Sequence, residues 1–169
     1  MDLGLVLLRL LLAALLFGHS TQKLLGWFGG AGPVKTAGIF EQWGFVPGRG
    51  LVVLAGLSEL AGAASIATGL LTPGGCAVII GTMAVAAAAT APNGFWAQQG
   101  GCEVPFCYGA LAVVLAVTGP GAWSLDHALG LAFGLWWGLG ALVLGLLAAA
   151  VPLTARARVL RGRSTTTTR

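Results

Sequence analysis

Charge is what this sequence has least of. Only 8% of its 169 residues are Asp, Glu, Lys or Arg, against roughly 25% in a soluble globular domain. So few ionisable side chains cannot cover a water-facing surface, which excludes a soluble enzyme or binding module. Disorder of the body of the chain is excluded by the same shortage, because disordered chains combine low hydrophobicity with high charge. Cysteine is also sparse: Cys76, Cys102 and Cys107 make no disulfide framework. Nucleotide chemistry finds no support, since the glycine-rich run Gly26-Trp27-Phe28-Gly29-Gly30-Ala31-Gly32 lacks the G-x-G-x-x-G order and any preceding strand. Neither a Ser-His-Asp set, a P-loop nor a zincin pattern appears. No metal is expected, because His127 is placed near the face opposite His19. Nucleic acid is not an expected partner, as no basic stripe is interleaved with aromatics.

What is abundant is apolar: 57% of the residues are hydrophobic. An all-α integral membrane protein follows, and about 20 apolar residues per span limit the chain to five or six crossings in one bundle. Spans are read at about 3–22, 51–71, 76–91, 105–118 and 128–150, so that 1–152 form the bundle and 153–169 a disordered basic tail. The first span has no basic n-region and no convincing cleavage site, so it reads as an uncleaved helix. Between spans one and two, Val34, Ala37, Phe40 and Trp43 recur at helical spacing, which suggests a short interfacial helix with Lys35 and Glu41 on its wet side. Ser124 can cap a helix whose first turn holds Asp126 and which continues into the fifth span. Five crossings place Lys23, Lys35, Arg49 and the five arginines of the last fourteen residues on one face. Positive-inside bias makes that face cytoplasmic, with the C-terminus there.

The few intramembrane polar residues carry the candidate chemistry. Arg9, His19 and Lys23 fall within an arc of about 80° on the first helix. His19 lies roughly 8 Å and Glu59 roughly 12 Å from the basic end, with Arg9 about 20 Å deep. A lone carboxylate at such depth costs about 2.5–3.5 kcal/mol on insertion scales, so Glu59 must find a cation, become protonated or line a wet cavity. Arg9, His19, Lys23 and Glu59 are therefore read as one polar pocket, against the alternative of a structural ion pair locking two helices. Asn93, Phe95, Trp96 and Glu103 are expected on the same face, where the aromatics would roof the pocket and a quinone head group could stack, with His19 donating to a carbonyl oxygen. Interfacial anchoring is the plainer role for those aromatics. Cys102 and Cys107 are read as free thiols in a reducing compartment. Gly130, Gly134 and Gly138 form a small-xxx-small ridge for packing within the bundle or between copies, and Ser58/Gly62 and Ser65/Gly69 form similar ridges. Trp136-Trp137 sit well inside the fifth span without an evident role.

The ordered set of motifs resembles the DoxX family of small bacterial membrane proteins. It comprises Arg9-Leu10, Gly18-His19, Lys23-Leu24, Gly26-Trp27-Phe28-Gly29-Gly30, Gly44-Phe45 with Pro47, and Ala55-Gly56 with Glu59-Leu60. Gly69-Leu70 with Thr72, Pro92-Asn93-Gly94-Phe95-Trp96, Gly100-Gly101 with Glu103 and Pro105, and Gly119-Pro120-Gly121 with Ser124-Leu125-Asp126 complete it. The resemblance implies a four-helix membrane core in a bacterial inner membrane, with the fifth span as an addition. It also implies kinship with subunits linked to thiosulfate:quinone oxidoreduction or terminal quinol oxidation. Two positions depart from the family's habit: a histidine is often found near Thr90-Ala91, and an aromatic where Cys102 stands.

The expected function is a redox-associated membrane subunit that contacts quinone or anchors a partner oxidoreductase, which would supply the electron-carrying cofactor; none is intrinsic. A non-catalytic scaffold, self-associating or recruiting partners through the glycine ridge and arginine tail, and a small-solute or proton carrier are the alternatives.

Overall fold

Apolar runs separated by Gly- and Pro-rich breaks become helices throughout. The structure, a computed structural model, describes residues 2–167. Its helices are α1 (Asp2–Leu24), α2 (Gly32–Gln42), α3 (Gly48–Thr68), α4 (Thr72–Thr90), α5 (Glu103–Thr118), α6 (Leu125–Ala128) and α7 (Leu135–Thr167), with 3-10 turns at Ala91–Asn93 and Ala97–Gln99. α1, α3, α4 with its 3-10 extension, and α7 are long and apolar enough to cross a membrane. α5, at 16 residues, spans about 24 Å and falls short of a hydrocarbon core of about 30 Å. The helices alternate in direction. Lys23, Gly48, Thr90, Glu103 and the arginines of α7 lie at one end, here the basic end; Thr68, Thr72, Thr118 and α6 lie at the far end.

Large apolar side chains face outward along the bundle, among them Leu7, Leu11, Leu54, Val143, Leu144 and Leu147. Helices apolar on their outer faces need a solvent as apolar as themselves. The chain is a multi-pass membrane protein. Inside, Leu12 and Leu16 of α1, Ile66 of α3, Ile79 of α4 and Leu115 of α5 are fully buried in one cluster that also takes in Ala141 of α7. α4 is central and packs on α3, α5 and α7. Glycine permits the closest of these approaches: a Cβ on Gly145 would stand 2.7 Å from the Ala77 carbonyl oxygen, and one on Gly81 2.9 Å from that of Gly145.

That pair, rather than the expected 130–134–138 ridge, brings α7 against its neighbour. Ser124 does cap a helix, its Oγ accepting from the His127 N–H at 3.2 Å, but that helix stops at Ala128. Gly130 adopts φ +70° and Gly134 precedes α7; a Cβ on either would meet nothing. Only Gly138 packs, against the Ala116 carbonyl. Trp136 and Trp137 consequently open α7 instead of lying within a span, at 82% and 59% exposure, where amphipathic rings suit the lipid–water boundary.

The expected disordered tail is also different. α7 continues through Pro152 to Thr167, and its 33 residues measure about 50 Å, well beyond the hydrocarbon thickness. Its final turns dock on α2. The Arg156 Nε donates to the Trp43 carbonyl at 2.8 Å and its Nη1 to Ala88 at 3.3 Å, while Arg163 donates to Glu41 at 2.9 Å and Gln42 at 3.4 Å. The last carbonyls of a helix have no intrahelical partner, and arginines are suited to fill them. Residues 168–169 of the expected tail lie outside the described residues.

Candidate functional site

Two buried polar centres occupy opposite ends of the bundle. At the far end Arg9, 3% exposed, spends its guanidinium on backbone. Its Nε donates to Ile66 at 2.7 Å and its Nη2 to Ala67 at 2.9 Å, at the end of α3. Its Nη1 donates to Pro120 at 2.8 Å and Trp123 at 2.9 Å. Asp126 accepts from the backbone N–H of Leu71 at 2.6 Å and Thr72 at 2.9 Å, capping α4 from another segment and holding Leu71 at φ +50°. Only glycine fits at position 69 between them, because a Cβ there would stand 2.5 Å from Ser124 Cβ and 2.8 Å from the Arg9 Nη2. Arg9 is thus not part of the pocket expected around Glu59. Its helical-wheel position is shared with His19 and Lys23, but its partners are carbonyls at the other end.

The remaining three residues meet near the basic end. Lys23, near the end of α1, forms an ion pair through Nζ with Oε1 of Glu59 on α3. The lysine side chain is 23% exposed and that of Glu59 only 2%, so a cation from the interface reaches inward to a buried acid. The second carboxylate oxygen, Oε2, is buried with no hydrogen-bond partner among the described residues. His19 meets Glu59 through no hydrogen bond. Its ring stands edge-on to Tyr108 of α5, with centroids 5.5 Å apart, and both rings are without hydrogen bonds among the described residues. His19, Lys23, Glu59 and Tyr108 all line a cleft of about 660 Å³, within the size range of small-molecule sites.

Most of the remaining lining is apolar. α2 and the turn after it contribute Phe40, Trp43 and Phe45, α4 contributes a row of small residues, and α7 contributes Ala148 to Pro152 in part. Phe40 stacks on Trp43 at 5.9 Å and tilts against Phe45 at the same distance. These rings take the place expected for Phe95 and Trp96. The 91–100 segment is exposed throughout and is closed on itself: Asn93 Nδ2 donates to the Gly100 carbonyl at 3.1 Å, and Glu103 Oε2 accepts from the Ala97 N–H at 2.8 Å. Phe95 packs on Trp96 and Phe106. Asn93, Phe95, Trp96 and Glu103 therefore line no part of the cleft. Tyr108 was not anticipated, although the chain's single tyrosine, set inside an apolar span, was a signal for it.

The elements that hold His19, Lys23 and Glu59 coincide with a known family unit: the DoxX family model matches residues 4–92. The chain belongs to the DoxX family. The match takes in α1 to α4 and leaves Tyr108 on α5 and the whole of α7 outside the recognised DoxX segment. No curated protein and no solved structure matches the chain. Cys102 is half-buried, Cys107 exposed and Cys76 buried in the core, and all three are free thiols.

Proposed function

We propose that this DoxX-family protein binds a quinone-type ring in the cleft and serves as the membrane-embedded, quinone-contacting subunit of a partner oxidoreductase. One observation carries the reading: Glu59 is buried in a mostly apolar cleft with one oxygen paired to Lys23 and the other without a partner among the described residues. An unpaired buried acceptor costs about 1–3 kcal/mol, and a ligand that brings an O–H to Oε2 removes that cost. A quinol presents such a donor on a flat apolar ring, for which Phe40, Trp43 and Phe45 supply aromatic walls. His19 and Tyr108 stand ready on the other wall to hydrogen-bond a second ring oxygen.

When a quinol leaves as quinone it surrenders two protons and two electrons. Glu59 Oε2 and His19 are the groups in the cleft able to receive protons, and the electrons pass to the redox centre of the partner. The gathering of basic side chains at one end supports a bacterial inner membrane with that end in the cytoplasm. The test is titration of the purified protein in lipid nanodiscs with a short-tail benzoquinone and its quinol, followed by tryptophan fluorescence. Saturable quenching, largely lost in Trp43→Phe and weakened at least tenfold in Glu59→Gln, is expected. No saturable binding of either form removes the quinone reading.

A further inference from the structure

We infer that the cleft is loaded sideways from the bilayer, and that its ligand carries one long isoprenoid chain which leaves between α3 and α7. This deepens, and rests on, the quinone reading above. α3 and α7 each pack on α4 but not appreciably on each other, so a strip of α4 stays uncovered between them. Val78, Thr82, Val85 and Ala86 form that strip and also line the cleft. Thr82 turns its hydroxyl back to the Val78 carbonyl at 2.9 Å, and Thr90, further along, turns its own to Ala86 at 3.0 Å. The strip therefore presents methyl groups. From Val78 to Thr90 it runs about 18 Å along the helix, more than half the hydrocarbon thickness of about 30 Å.

The rim of this window faces outward. Leu54 of α3 is 61% exposed and Val151 of α7 is 71% exposed, and both line the cleft. The water side carries an aromatic cover by contrast. Trp43 and Phe45 lie under Arg156, which donates to the Trp43 carbonyl and stands 5.6 Å from the Phe45 ring centroid. Leu160 fits against Gly44 so closely that a Cβ there would stand 2.9 Å from its Cγ. A ligand arriving from lipid meets an open apolar window; one arriving from water meets a strapped aromatic cover. With the polar groups at the inner end of the window, the head group turns inward and the chain trails out over the α4 strip.

The experiment uses the full chain in vesicles with two photoprobes: an isoprenoid quinone with a diazirine in its chain, and an isoprenoid alcohol with the same chain. Labelled residues are mapped after irradiation. The quinone probe is expected to label Met83 and Ala89, which line the cleft yet are only 5% and 4% exposed. Val78→Trp and, separately, Val151→Trp should cut that labelling at least fivefold, while labelling of outward-facing Leu144 stays unchanged. Labels confined to outward-facing residues with both probes overturn the side entrance, as does labelling of Met83 that survives both window variants. Labelling of Met83 and Ala89 by the alcohol probe, with no quinone binding, upholds the side entrance and removes the quinone reading.

Discussion

The two ends of the bundle each bury an acid, and they treat it in opposite ways. At the far end Asp126, 1% exposed, has both oxygens occupied by backbone N–H groups. Arg9 beside it donates from all three guanidinium nitrogens to backbone carbonyls. At the basic end Glu59, equally buried, has one oxygen held by a lysine that is itself partly exposed, and the other held by nothing among the described residues. A fully satisfied buried network rigidifies a fold, whereas a partly satisfied one is a reserve of unspent interaction. The contrast marks Arg9–Asp126 as the clamp that joins α3, α4 and the 119–128 segment, and Lys23–Glu59 as the place where a ligand gains something.

The contrast can be broken most forcefully at Arg9. Arg9→Met strands four carbonyls, that of Ile66 fully buried and three part-buried, and should destabilise the protein by about 3–5 kcal/mol, read as a lower unfolding midpoint in detergent, while the molecules that remain folded bind ligand as before. Removing Lys23 comes next. Lys23→Ala leaves the acid as the buried, uncompensated partner and should lose about 3 kcal/mol. Glu59→Gln leaves only a partly exposed lysine, and should lose no more than about 1 kcal/mol of stability even as ligand binding falls at least tenfold. Equal losses in the two variants would sink the asymmetry. Asp126→Asn replaces one capping acceptor with an amide N–H donor and should cost about 1–2 kcal/mol, with hydrogen exchange quickening first at Leu71 and Thr72. The smallest effect expected is at Trp96: Trp96→Ala should leave quinone binding within twofold of the parent, and a larger loss would return the 91–100 loop to the site.

The sequence made the pocket partly legible. His19, Lys23 and Glu59 stood out because ionisable groups are rare in the spans, and the helical rise per residue assigned their depth. Arg9 was grouped with them by azimuth, which says which way a side chain points but not what waits there. Its partners are carbonyls at the end of α3 and in the 120–123 turn, and a free carbonyl has no residue type by which to recognise it. The same blindness applied to the end of α7. Arginines and threonines there read as a solvated tail, yet Arg156 and Arg163 find the unpaired carbonyls at the end of α2 and the helix persists. The roofing rings were misassigned for a related reason: Phe95 and Trp96 match Phe40 and Trp43 in kind, and only chain geometry puts one pair in the cleft and the other on the surface.

Composition and spacing alone were enough to establish five apolar helices, their alternating direction and the basic end, because insertion into lipid responds to the summed hydropathy of each segment and to where its cations lie. Which buried charge is saturated and which is left with an unanswered oxygen was decided by the tertiary structure, since that depends on where helix ends and side chains from distant segments come to rest within hydrogen-bonding distance.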